Sequence, residues 1–280
     1  MSYIEECSFL RVAPALVAVD PADTRLPERA CLTMATSTRA RASAVLGGGY
    51  TLCTDACDGA LAIATSERGL HVLDWTTLKT IKALGTLAHT DRINELCFSS
   101  SHTLYSASSD GLIKVWDPSA ARCAPVAEIS NDDGTEVWSV SVAPSSHLLA
   151  AGTETAVVLW DLRRTARPYA RYEVHTEAVT QVRFRPGGGE PLLLSGSMDG
   201  LLCELDCSTD DEDEAVVGVH NTESPITALG FWHAATAGAD AEVAPLASRA
   251  WVLSSTDVLS LWDLNAAEQI GRFADLVPHR

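Results

Sequence analysis

The sequence predicts an all-β chain built from a repeated unit. Three observations carry this. Apolar residues alternate with period two in short runs such as Val179–Phe184 and Leu201–Leu205, the pattern of strands that bury one face. Gly-containing turns, among them Asp110-Gly111, Asp199-Gly200 and Gly187-Gly188-Gly189, separate the runs, and helical periodicity is nearly absent. Similar strand endings recur at Leu73-Asp74, Trp116-Asp117, Trp160-Asp161, Leu205-Asp206 and Trp262-Asp263, with Asp-to-Asp spacings of 43, 44, 45 and 57 residues.

The clearest unit is residues 89–117, from His89 through strands at Ile93–Phe98, Leu104–Ala107 and Leu112–Trp116 to the closing Trp116-Asp117. It resembles a repeat of the WD (WD40) family, whose ~40–45 residue period builds one four-stranded blade of a β-propeller. The resemblance implies five blades, ending near residues 74, 117, 161, 206 and 263, within residues 45–280. Rings of this family usually have seven, so an incomplete seven-bladed ring is expected. Residues 1–44 form an N-terminal segment, either a closing strand or a degenerate blade. The longer last spacing is assigned to the acidic run Asp210–Glu214 and the Ala/Gly-rich Ala234–Ala247.

With 46% hydrophobic residues, the chain has a globular composition, and 280 residues bury a sizeable core. Its 37 acidic against 20 basic residues give a net charge of −17, which repels phosphate backbones and anionic membranes. Nucleic acid and membrane are therefore not expected partners, and proteins with basic surfaces are. The first residues, MSYIEECSFL, lack the basic start of a secretory signal, and no apolar run approaches a membrane span. Eight scattered cysteines read as reduced thiols, which points to a cytoplasmic or nuclear location.

In the WD family a His, a Ser or Thr, an Asp and a Trp can form a hydrogen-bonded tetrad within a blade. By that resemblance the second blade supplies all four: His89, Ser106, Asp110 and Trp116. The fourth supplies His175, Ser195 and Asp199, with Leu205 in place of Trp. The third offers Glu154 for the Asp and keeps Trp160, and the fifth keeps Asp257 and Trp262 at altered spacing. His89, Ser106 and Asp110 are also the residue types of a hydrolase triad. A triad, however, requires an exposed nucleophile and an oxyanion hole, so the structural reading is preferred and no catalytic residue is expected. Cys53/Cys57 and Cys203/Cys207 lack the tight paired knuckles of structural zinc. No metal, cofactor or small-molecule substrate is evident.

The resemblance places a partner-binding rim where each innermost strand begins and where the turn Asp is approached. Mapped by motif, its residues are Arg92, Asn94, Ser109, Glu136, Trp138, Thr180, Met198 and Thr227. Trp138 reads equally as a binding anchor and as a core tryptophan. Trp160-Asp161-Leu162-Arg163 fits the box that WD-type receptors of cullin-4 ubiquitin ligases use to dock their adaptor. The expected function is non-catalytic protein–protein scaffolding. The alternatives are a cullin-4 substrate receptor and an assembly factor for a basic ribosomal or histone protein.

Overall fold

The computed structural model describes residues 49–85, 87–131, 133–143, 145–186, 191–231 and 249–274. The segment 1–44, the Gly187-Gly188-Gly189 turn and the stretch 234–247 lie outside the described residues. The regular secondary structure of the described residues is almost entirely strand, in five four-stranded antiparallel sheets. The first sheet is β1 (Thr51–Cys57), β2 (Ala60–Thr65), β3 (Leu70–Asp74) and β4 (Thr80–Gly85). The second is β5 (Ile93–Ser100), β6 (Thr103–Ser108), β7 (Leu112–Trp116) and β8 (Ala127–Ser130). The third is β9 (Ser139–Ala143), β10 (Leu148–Gly152), β11 (Val157–Asp161) and β12 (Ala170–Tyr172). The fourth is β13 (Gln181–Phe184), β14 (Leu192–Gly196), β15 (Leu201–Asp206) and β16 (Val216–Asn221). The fifth is β17 (Ile226–Phe231), β18 (Arg249–Ser254), β19 (Leu259–Asp263) and β20 (Glu268–Phe273).

Each sheet is a simple meander, so its first strand is innermost and its fourth is an edge. Sheets stack face to face in sequence order. Ala62, Leu70 and Val72 of the first meet Ile93, Leu96 and Trp116 of the second. Ala107 and Ile113 meet Val140 and Val158, Leu159 and Tyr172 meet Val182 and Leu205, and Leu194 and Leu202 meet Ile226 and Val252. A sheet buried on both faces needs apolar residues at consecutive positions. This is why Val157-Val158-Leu159-Trp160 is a continuous apolar run with no residue exposed. Among the described residues β17 does not pack on β1 as each inner strand packs on the next.

The stacking is close enough to dictate small residues. A Cβ on Gly152 would lie 2.3 Å from the Val179 carbonyl oxygen, and one on Gly196 would lie 2.7–2.8 Å from Leu229 and Ile226 side chains.

The recurrent closing Asp has one job in all five sheets. Its Oδ1 accepts a backbone N–H two residues on and so folds the turn that follows, an Asx-turn. The donors are Thr76 at 3.1 Å, Ser119 at 2.8 Å, Arg163 at 2.9 Å, Ser208 at 2.9 Å and Asn265 at 3.1 Å, for Asp74, Asp117, Asp161, Asp206 and Asp263. Bonds from Thr76 and Thr77 hold the Asp74 carboxyl down at about 2. The acidic run contains one helical turn, α1 (Glu212–Ala215). Asp211 caps it by accepting from Asp213 N–H at 3.0 Å.

Candidate functional site

In the second sheet His89, Ser106, Asp110 and Trp116 form one hydrogen-bonded chain. The Trp116 indole donates to Ser106 Oγ at 2.9 Å. Ser106 Oγ lies 2.6 Å from His89 Nε2, and His89 Nδ1 lies 3.0 Å from Asp110 Oδ2. Burial pushes the Asp110 carboxyl up, but His89 and the N–H groups of Thr90 and Leu112 outweigh this and hold it well below the usual range. Asp110 is therefore an acceptor, Nδ1 carries the proton, and Nε2 accepts from the Ser106 hydroxyl. Ser106 is fully buried, with its oxygen spent on the indole and its proton on the imidazole. That makes it a strut rather than an accessible nucleophile.

The fourth sheet repeats three members. His175 Nε2 lies 2.8 Å from Ser195 Oγ, and Nδ1 lies 3.2 Å from Asp199 Oδ2. Leu205, fully buried, fills the Trp position. In the third sheet Trp160 pairs with Leu149 as Trp116 pairs with Leu104, which puts Ala151 where Ser106 stands. Glu154 is exposed, and the buried Trp160 indole N–H has no acceptor among the described residues. In the fifth sheet Trp262 donates instead to Ser260 Oγ at 2.9 Å. Asp257 sits in the β18–β19 turn with φ +58°. Burial raises the Cys203 thiol to about 12, which keeps it protonated and a poor metal ligand.

Backbone bonds gather the starts of the inner strands and the β2–β3-type turns at one end of the molecule. Ser66 N donates to Tyr50 O, Ser109 N to Arg92 O, Met198 N to Ala178 O and Ser255 N to Pro225 O, at 2.8–2.9 Å. The turns of the second, third and fourth sheets are also joined to the next blade, through Val137 N to Ser108 O, Val179 N to Thr153 O and Ile226 N to Ser197 O, at 2.9–3.1 Å.

The eight rim residues divide into three groups. Asn94, Ser109, Glu136, Thr180 and Thr227 spend their polar groups inside the chain. Asn94 Nδ2 donates to Ser109 Oγ at 3.0 Å and to Val137 O at 2.8 Å, and Ser109 donates to Glu136 at 3.2 Å. Thr180 donates to Ile226 O at 2.5 Å and Thr227 to Leu253 O at 3.1 Å. Arg92 and Met198 are exposed. Trp138 is half-buried, with its indole nitrogen enclosed and without an acceptor among the described residues. The position of the first sheet that matches Arg92 is Tyr50, 71% exposed, which motif mapping missed because that blade carries no recognisable turn Asp.

A second set of ties lies deeper on the inner strands. Asp55 Oδ2 accepts from Phe98 N at 2.6 Å, and Glu95 Oε2 from Val140 N at 2.9 Å. Ser139 Oγ accepts from Val182 N and Ser141 Oγ from Phe184 N, both at 3.0 Å. The partners are 43–45 residues apart, so polar side chains of one repeat cap the backbone of the next. Arg183 closes the network on the Glu95 carboxylate at 2.5 Å.

A family model described as "WD domain, G-beta repeat" matches residues 81–117, 123–161 and 166–203, the span that holds the second and third sheets, the inner strands of the fourth and the tetrad residues His89 to Asp199. The chain belongs to the WD-repeat family. It is 33% identical to a Dictyostelium discoideum "WD repeat-containing protein 89 homolog" over 81% of this chain and 58% of that protein. It is also 33% identical to the Arabidopsis thaliana "WD repeat-containing protein GTS1" over 62% of this chain and 43% of that protein. Over a shorter stretch it is 31% identical to a Caenorhabditis briggsae "DDB1- and CUL4-associated factor 11 homolog", covering 37% and 20% of the two chains. The chain spans about half the length of the first two relatives.

The WD-repeat box 160–163 lies at the end of β11 away from the rim. Its Trp160 is fully buried and therefore offers a docking partner nothing. Asp161 and Arg163 form a forked pair, with Nε to Oδ1 at 2.9 Å and Nη2 to Oδ2 at 2.7 Å. Arg163 holds the Asp161 carboxyl at about 2, and the Arg163 side chain remains 68% exposed.

Proposed function

We propose that this WD-repeat chain is a non-catalytic protein-interaction scaffold whose partner surface is the rim. One observation carries the reading: the rim is tied blade to blade by its own polar side chains, while Tyr50, Arg92 and Met198 project from it unspent. A surface built this way loses little ordering entropy on binding, and exposed aromatic, Arg and Met side chains are typical contact residues. The acidic balance favours partners with basic surfaces and accelerates their encounter. Quantitative affinity capture tests this. Arg92→Ala with Met198→Ala should deplete the partners that wild type retains, and an unchanged partner set would overturn the rim assignment.

The exposed Arg163, with the similarity to a protein named as a DDB1- and CUL4-associated factor, favours a second reading. In it the Asp161–Arg163 end docks a ligase adaptor through charge-assisted bonds. Binding to purified adaptor, lost in Arg163→Ala, would support it. Absence of binding, or equal binding by the variant, would remove it.

A further inference from the structure

Every sheet ends in an edge strand, which carries unpaired N–H and C=O groups that can recruit another strand. Four of the five edges carry a charge: Lys82 on β4, Glu128 on β8, Arg171 on β12, and Glu268 with Arg272 on β20. Strand β16, Val216-Val217-Gly218-Val219-His220-Asn221, carries no Lys, Arg, Asp or Glu. Its His220 is buried, and that burial lowers its pKa. Val217 and Val219 are 58% and 53% exposed. This edge lacks the charges that ordinarily block pairing.

The chain leading into β16 is Asp210-Asp211-Glu212-Asp213-Glu214, and it is held in place. Tyr169 Oη donates to Ser208 O at 3.2 Å, Tyr172 Oη to Thr209 O at 2.5 Å, and Glu173 N to Glu212 Oε2 at 2.9 Å. Among the described residues, Asp210, Asp211, Asp213 and Glu214 make no ion pair with a cation. We infer that β16 is a docking edge for an extended basic segment of a partner protein. The segment adds as a fifth strand to the fourth sheet, setting alternate apolar side chains on Val217 and Val219 and cationic ones along Asp210–Glu214. A second copy of this chain, with the same net charge of −17, is electrostatically disfavoured there. This surface is separate from the rim, so Arg92→Ala and Met198→Ala should leave it unaffected, and either reading can fail alone.

The test uses a fluorescent alternating lysine–valine peptide and an analogue N-methylated at every second backbone nitrogen, which keeps the charge and removes one row of donors. The parent should bind saturably at low salt and protect the β16 amides from hydrogen exchange. Affinity should fall about ten-fold or more for the N-methylated analogue and for Val219→Lys. Replacing Asp210, Asp211, Asp213 and Glu214 by their amides should weaken binding at low salt and flatten its salt dependence. Val219→Thr, which keeps the β-branch, should lose less than Val219→Lys. The inference is overturned if the parent does not bind, if the two peptides bind equally, or if protection appears elsewhere. It is likewise overturned if the chain self-associates and Val219→Lys dissociates it, since the occupant is then a second copy.

Discussion

Ser106→Ala and Ser195→Ala remove the same atom from two versions of one device, and the structure gives them different costs. In the second sheet Ser106 Oγ receives the Trp116 indole at 2.9 Å and faces His89 Nε2 at 2.6 Å. Trp116 and His89 are each 2% exposed, so water cannot replace the lost partner. Ser106→Ala strands both groups. In the fourth sheet Ser195 faces only His175, because Leu205 stands at the Trp position and asks for no hydrogen bond. At ~1–3 kcal/mol for each buried group left unpaired, Ser106→Ala should cost about 2–6 kcal/mol and Ser195→Ala about 1–3 kcal/mol. Urea melts followed by tryptophan fluorescence and by circular dichroism measure both. Equal costs, a larger cost for Ser195→Ala, or no loss in Ser106→Ala would refute the assignment of these serines as structural acceptors.

Other consequences follow from packing and protonation. Gly152→Ala should destabilise by ~1–3 kcal/mol, since the new methyl meets a backbone oxygen that cannot swing aside. Gly218→Ala, where the nearest atom is 3.5 Å away, should stay within about 0.5 kcal/mol; thermal melts separate the two. Burial lowers the pKa of His175 against the opposing pull of Asp199, and lowers that of His220 against Glu204. The folded state therefore holds both neutral while the unfolded chain takes up protons, so stability should fall as pH drops through the ordinary imidazole value of 6.5. His220→Phe, which also removes an unpartnered buried nitrogen, should reduce that slope in pH-dependent urea melts. An unchanged slope would remove His220 from the account.

The repeat was legible because its signals are local. The closing Asp folds the turn directly after it, and His89, Asp110 and Trp116 sit at fixed distances within one blade. The ties between blades were not legible. Asp55, Glu95 and Ser139 are ordinary polar residues on strands, and their partners are backbone N–H groups 43–45 residues away, which composition cannot reveal. How the rim residues spend their polar groups was not legible either. Asn94, Thr180 and Thr227 stand where the motif puts them, yet the strand geometry turns their polar groups onto carbonyl oxygens of the same chain. Trp160 differs again: the motif marks it as a box residue, while continuous burial of Val157–Trp160 commits it to the core.

The central claim is that partners meet the rim end and that the tetrads only hold it. A photo-crosslinking residue placed at Arg92 or Met198, and separately at exposed Ile81 on the outer strand β4, tests this most directly. The account predicts partner adducts from Arg92 and Met198 and none from Ile81. Adducts from Ile81 with none from the two rim positions would contradict it.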